Sequence, residues 1–436
     1  MHHPHGRLFP DALQREIKDR FHFVDHDPSG RERLFFENAG GSLRLKSVTA
    51  RAAAVDAIPD CPERIHAVAV QLQDIQQRGT DDVRTVLNAR GGAVYASLTA
   101  SGGMFAVVRA IAENVPGTNM VTTVLEHPSA YDAISQYAER TGRELRVVPS
   151  NPQTGGIDAD EVVKRIDAGT CLLSVIYASN ISGAKVDVDA IVRKARAIKP
   201  DLFIVVDAVQ HAPHGLIDLQ KTPVDAMNFA PYKFFGARGS GFTWLSDRAA
   251  VLRHDKLSGK KADFWDLGSA APWQFAAVTE IVDYVCWLGR RSTESADRRA
   301  QFEQGIEAIE LHERALLHRL LDGADGVQGL RQLGGVTVHL DHPDLARRDL
   351  ILAIGIEGLE HTQAVREYEK RGIIVYERVA SSIYSRRMLE SFGMTGAIRV
   401  SPLHCHAPSD IDRFLHVTGQ IAAEQRAPAT HVGVAL

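Results

Sequence analysis

Between about residues 90 and 245 the chain alternates short apolar runs with longer amphipathic ones. That rhythm restricts it to a mostly parallel sheet with helices on both faces, because parallel strands can only be joined by a crossover, usually helical. "AVYASL", "NMVTTVLE", "ELRVVPS", "CLLSVIYAS" and "LFIVVDA" read as strands. The last two are apolar throughout, as strands covered on both faces are. Between them "GGMFAVVRAIAENV", "PSAYDAISQYAERTG", "DADEVVKRIDAG" and "VDVDAIVRKARAIKP" read as helices; Gly142 closes the second and acidic residues open the third. After residue 275 long helical patterns follow, "AAVTEIVDYVCWLGRR" and "RRAQFEQGIEAIELHERALLHRLLDG", then short strands ("GVTVHL", "GIIVYE", "AIRVS") and a closing helix. The pattern predicts an α/β protein with an N-terminal arm (1–44), a large domain (45–290) and a smaller α+β C-terminal domain (291–436).

The 436 residues suffice for two or three domains. A net charge of −4 supplies no basic field for nucleic acid, so no nucleic-acid partner is expected. The four cysteines (Cys61, Cys171, Cys286, Cys405) are scattered without a CxxC, which favours neither a disulfide framework nor a metal site. No apolar run reaches the ~20 residues of a membrane span, and the first residues show no signal-peptide core. The expectation is a cytoplasmic protein without a membrane partner.

Sites in open parallel sheets lie at the carboxyl ends of the strands. "SLTASGG" places Ser101, Gly102 and Gly103 at a helix start, either an anion site or an ordinary cap. "VLEHPSA" places His127 after the next strand, and "IYASNISG" places Asn180; structural and turn roles stand beside functional ones. "IVVDAVQHAPH" ends its strand on Asp207, with Gln210, His211 and His214 following. A carboxylate buried there needs a partner, which a helix cap or an ion pair would also supply. Lys233 lies in "NFAPYKFFGARGSGF", among Phe229, Tyr232, Phe234 and Phe235. Apolar company lowers a lysine's pKa and frees its amine as a nucleophile, whereas most lysines are solvated surface charges. Gly236, Gly239 and Gly241 then permit close backbone approach to a ligand, and they precede a strand, so they are not a dinucleotide fingerprint. Anion loop, flat ring, amide, carboxylate and lysine are the parts that pyridoxal 5'-phosphate (PLP) requires: donors for its phosphate, a carboxylate for its pyridine nitrogen and an amine for its aldehyde.

Those motifs, in that order from "LFFENAGGS" (34–42) to "AIRVSPLHCHAPSDIDRF" (397–414), resemble the class V aminotransferase family of fold type I PLP enzymes, and within it the cysteine-desulfurase-like group. The resemblance implies His127 stacked on the cofactor ring, Asn180 and Gln210 at the ring oxygen, Asp207 at the pyridine nitrogen and Lys233 as the Schiff-base lysine. It implies Arg399 of "IRVS" as the substrate's carboxylate clamp, a role suited to a bidentate guanidinium. "PWQFAAVT" resembles the segment that brings a threonine, here Thr279, to the partner subunit's phosphate. A homodimer with sites at the interface follows from the same resemblance.

Three departures shape the functional expectation. Ala230, Pro231 and Tyr232 replace the family's Ser-Gly-His before the lysine, so Tyr232 is expected to supply a hydroxyl to the phosphate. The anion loop is "ASGG". The segment that carries the desulfurase nucleophile, about 15 residues before the arginine, has Tyr384 and no cysteine. The expected chemistry is therefore Cα deprotonation of an α-amino acid, with β-elimination of the C–S lyase kind ahead of persulfide formation; aminotransfer and racemisation are the alternatives.

Overall fold

The computed structural model describes residues 3–426. Its large sheet contains β1 (Ala93–Ser97), β2 (Asn119–Thr123), β3 (Glu144–Val148), β4 (Thr170–Ile176), β5 (Phe203–Asp207), β6 (Ala226–Phe229) and β7 (Gly241–Leu245), in the order β1-β7-β6-β5-β4-β2-β3. Strands β2 to β6 pair in parallel, and β7 lies antiparallel between β6 and β1. Because β7 reverses the direction twice over, β1 again points the same way as β6. All the parallel strands and β1 thus end on one edge.

Side chains of β5 alternate between two cores, as a period of two requires. Ile204 and Val206 face one, Phe203 and Val205 the other. Helix α1 (Ala67–Leu87) covers the first face through Val83, Val86 and Leu87. On the second face, Met104 and Val108 come from α2 (Ala100–Asn114), and Ala130 and Ile134 from α3 (Pro128–Arg140). Helix α4 (Val188–Ile198) joins the first face with Ile191 and Ala195. Helix α5 (Pro272–Gly289) crosses α6 (Arg298–Asp322) at two glycines: a Cβ on Gly289 would meet the Gln301 carbonyl at 1.8 Å, and one on Gly305 the Val285 carbonyl at 2.0 Å. The backbones touch there, which no larger residue permits.

A second, antiparallel sheet contains β8 (Val336–His339), β9 (Leu352–Ile356), β10 (Tyr376–Val379) and β11 (Gly396–Val400), ordered β10-β11-β9-β8. Leu352, Ile354, Ile398 and Val400 fill its own core, while Ala353 and Ala397 point the other way, into the large sheet's core. The N-terminal arm is stitched to the chain beside this sheet. Leu34 and Phe35 pair in parallel with Ile373 and Ile374, and Asn38 N–H donates to the Ser401 carbonyl at 3.1 Å.

Expectation and structure differ in detail. "DADEVVKRIDAG" is helical only over Ala159–Val163, because the Asp167 carboxylate accepts from Gly169 N–H at 2.8 Å and Asn119 Nδ2 at 2.9 Å and so builds a turn. Thr99, not Ser101, caps α2, accepting Gly102 N–H at 3.1 Å. Gly236 and Gly241 admit neighbouring backbone rather than a ligand: Cβ atoms there would meet the Pro231 carbonyl at 2.9 Å and Ala100 N at 2.2 Å.

Substituting Gly305→Val should destabilise the fold by about 3 kcal/mol, the upper range for overpacking against backbone that cannot yield. Urea unfolding measures it; an unchanged midpoint would show that α5 and α6 do not depend on this contact.

Candidate active site

The carboxyl edge of the large sheet closes around a cavity of about 180 Å³. Thr99, Ser101, His127, Asn180, Asp207, Gln210, Tyr232 and Lys233 all line it. The loops after β1, β2, β4, β5 and β6 therefore deliver most of the candidate residues to one place.

At the end of β6 the chain makes a short 3₁₀ turn over Pro231–Lys233, and Phe235 adopts a left-handed φ of 60°. That conformation is costly for a bulky residue. It is held by Phe235 N–H donating to Ser42 Oγ at 2.9 Å and by its carbonyl accepting from Leu45 N–H at 2.9 Å. The result points Lys233, 7 % exposed, into the cavity, where Nζ donates to Gln210 Oε1 at 3.1 Å. Burial pushes its pKa down to about 8; Arg399 adds to the shift and Asp207 opposes it.

Asp207 is 3 % exposed, and burial raises its pKa. Its Oδ1 accepts Val209 N–H at 3.0 Å. Asn180 is buried with Oδ1 unpaired. His127 caps α3: Ser129 N–H donates to Nδ1 at 3.2 Å, with Ser129 Oγ 2.7 Å away. Nδ1 is thus the accepting nitrogen, and burial, aided by Lys233, Arg378 and Arg387, pushes the ring's pKa down to about 3. The neutral ring keeps its proton on Nε2.

At the start of α2 the Thr99 cap leaves Ala100 and Ser101 N–H groups free, the anion-binding arrangement of a helix N-terminus. Asn228 Nδ2 donates to the Ala100 carbonyl at 3.1 Å and ties that helix to β6. Tyr232 lies under Arg238, whose guanidinium carbon is 4.4 Å from the ring centroid. Gly102, Arg399 and Thr279 do not line the cavity, and the Gly102 N–H is taken by Thr99 Oγ1. Arg399 stands in β11, pairs with Glu37 of the N-terminal arm and donates to the Asn180 carbonyl at 3.0 Å. Thr279 sits in α5 beside Asp82, where α5 packs on α1.

Sequence reasoning missed Arg238, Ser129, Glu37 and Arg378. Arg238 was visible as the one cation inside the glycine cluster; the others depend on folding. None of the four cysteines lines the cavity. Cys171, Cys286 and Cys405 are buried, and Cys61 lies elsewhere, its Sγ 2.6 Å from Glu63.

Residues 34–414 match the family model of class-V aminotransferases. The chain belongs to that family and is a PLP-dependent enzyme. It is 28% identical over 309 residues to a probable cysteine desulfurase of Pseudomonas putida, covering 70% of this chain and 71% of the relative. A probable cysteine desulfurase of Streptomyces coelicolor is 25% identical over 93% of this chain and 96% of its own length. Among solved structures, the apo cysteine desulfurase of Thermococcus onnurineus has a TM-score of 0.78 at 18% identity, covering 94% of this chain and 98% of that one. The fold is the fold type I architecture expected from the sequence.

The cavity fits the cofactor. It holds a buried carboxylate with no ion-pair partner among the described residues, an unpaired buried amide oxygen, a helix N-terminus and a lysine with a lowered pKa.

Capture of PLP by the cofactor-free protein needs the unprotonated amine, so its rate should rise with pH through a midpoint near 8. Arg399→Gln should move that midpoint upward by removing a repelling cation. Rapid-mixing absorbance measures both; a midpoint near the ordinary lysine value of about 10.4 would contradict the assignment.

Proposed function

We propose that the enzyme removes the Cα proton of an α-amino acid and eliminates a group from its Cβ, in the manner of a C–S lyase, without forming a protein persulfide. The observation that carries this reading is that the cavity offers a lysine amine tuned close to neutrality and no thiol. When bound, the cofactor supplies an electron sink that makes the amino acid's Cα–H acidic.

In this reading Lys233 holds the cofactor covalently and then serves as the base. His127 is poorly suited to that task, because a pKa near 3 leaves it a weak base. It instead offers a flat neutral ring and an Nε2–H donor. Asp207 would pair with the pyridine N–H. Asn180 and Gln210 would flank the ring oxygen. The free N–H groups of Ala100 and Ser101, with Tyr232, would receive the phosphate, and Arg238 would add charge. Arg399 would hold the substrate's carboxylate, using the guanidinium N–H groups that Glu37 and Asn180 leave free, among them the buried, unpaired Nε.

Arg387 supports this arrangement. It stands at the start of α7 (Arg386–Ser391), donates through Nη2 to the Glu126 carbonyl at 2.7 Å and also to the Val124 carbonyl, and covers the Tyr131 ring at 3.7 Å. Those contacts brace the turn that carries His127.

A screen of amino acids against the PLP-loaded enzyme, without an acceptor, tests the reaction type. Elimination releases 2-oxo acid and ammonia catalytically, whereas aminotransfer stops after one equivalent. On the best substrate, Asp207→Ala should retain much of the cofactor yet lose about 10²–10³ in kcat, the scale of one preorganised charge interaction in a dry site. Cys405→Ser should leave kcat near wild type. Single-equivalent turnover, or a persulfide trapped at a catalytic rate, would overturn the reading.

A further inference from the structure

The small sheet turns one face towards the large sheet, and that face carries two guanidiniums. In the β10–β11 register Tyr376 lies opposite Arg399, and Arg378 opposite Ala397. Arg378 and Arg399 are therefore diagonal neighbours on the same face. Ala397 lies directly across from Arg378 and Ala353 from Arg399, leaving room on those sides, while on its other side Arg399 faces Tyr376, whose ring centroid is 5.6 Å from the guanidinium carbon.

The two arginines differ in how they are satisfied. Arg399 has Glu37 as a carboxylate partner. Arg378 is 6 % exposed, and no carboxylate among the described residues lies within ion-pairing distance of it. Its Nη2 donates to the Tyr384 carbonyl at 2.6 Å, and its Nε is buried without any acceptor. A desolvated guanidinium with an open N–H edge is costly unless an anion completes it. Burial, then Arg399, pushes its pKa down to about 10. Arg378 does not itself line the cavity; it adjoins it through its neighbour Arg399, which donates to the carbonyl of the lining residue Asn180 at 3.0 Å.

We propose that Arg378 receives a second anionic group of the substrate, and hence that the substrate is an α-amino acid with an acidic side chain. The inference rests on the reading that Arg399 holds the α-carboxylate. The charges agree with it. With Lys233 engaged by the cofactor, Arg378 and Arg399 present two cations against the single carboxylate of Glu37, which pairs with Arg399. Asp207 is reserved for the ring nitrogen and His127 is neutral. The surplus cation is Arg378, whose open N–H edge and planar fork suit the oxyanion pair of a second anionic group.

Titration calorimetry on the PLP-loaded enzyme, with succinate and butyrate as probes, tests this without turnover. Wild type should bind succinate roughly tenfold or more tightly than butyrate, the scale of one charge-assisted hydrogen bond. Arg378→Gln should abolish that preference and leave butyrate affinity unchanged. Arg378→Lys, which keeps the charge in the buried site, should retain part of the preference and carries the test if the glutamine variant fails to fold. Equal binding of the two acids by wild type, or a preference that survives Arg378→Gln, would overturn the inference. Failure of both acids to bind wild type would instead overturn the Arg399 reading beneath it.

Discussion

Asp207 ends the most apolar strand of the sheet, behind Ile204, Val205 and Val206, and no lysine, arginine or histidine among the described residues comes within ion-pairing distance of it. One backbone N–H, from Val209, is its recorded protein hydrogen bond. A carboxylate so placed is poorly compensated, and burial raises its pKa accordingly. The neighbouring Lys233 is destabilised in the opposite sense, its ammonium pressed by burial and by Arg399. Both groups are held in forms that a protonated ring nitrogen and an aldehyde would relieve. The parallel topology makes this possible, because it brings five loop ends from distant parts of the chain to one edge while the strands beneath stay dry.

The wall above that edge comes from the segment between β10 and β11. The resemblance drawn from the sequence places the desulfurase nucleophile in the segment around Tyr384. Here residues 380–391 are pinned by arginines: Arg378 to the Tyr384 carbonyl, Arg386 Nε to the Ala380 carbonyl at 2.9 Å, and Arg387 to the turn before His127. Arg378 and Arg387 thus tie the segment to β10 and to the turn before His127, and the Arg386–Ala380 bond closes it on itself. The same arm that pairs with Ile373 and Ile374 brings Glu37 to Arg399, so the arm, the small sheet and the site are mechanically one unit.

Much of this was legible in the sequence. Strands β4 and β5 are buried at every residue and mostly apolar, and polar groups of the cavity stand at or just beyond their ends: Asn180 after β4, Asp207 and Gln210 at and after the end of β5. What escaped had no local signal. Helix α1 is rich in glutamine and interrupted by Gly79, whose purpose is visible only in the packing, where a Cβ would meet Phe275 Cβ at 2.5 Å. Strand β9 is five residues long and contains Gly355, which lies against His339 of β8. Glu37 and Arg378 gain meaning only when β10 and β11 pair and the N-terminal arm returns to them, contacts that no spacing along the chain encodes. The three glycines after Lys233 illustrate the reverse case: their presence was conspicuous, yet Gly236 and Gly241 accommodate the chain itself.

Everything in the site converges on Lys233 as the cofactor's covalent anchor. Borohydride reduction of the PLP-loaded protein, followed by digestion and mass mapping, tests it directly. A single pyridoxyl tag should appear on the peptide carrying Lys233 and be lost in Lys233→Ala. A tag on another lysine, or no tag on a protein that binds PLP, would contradict it.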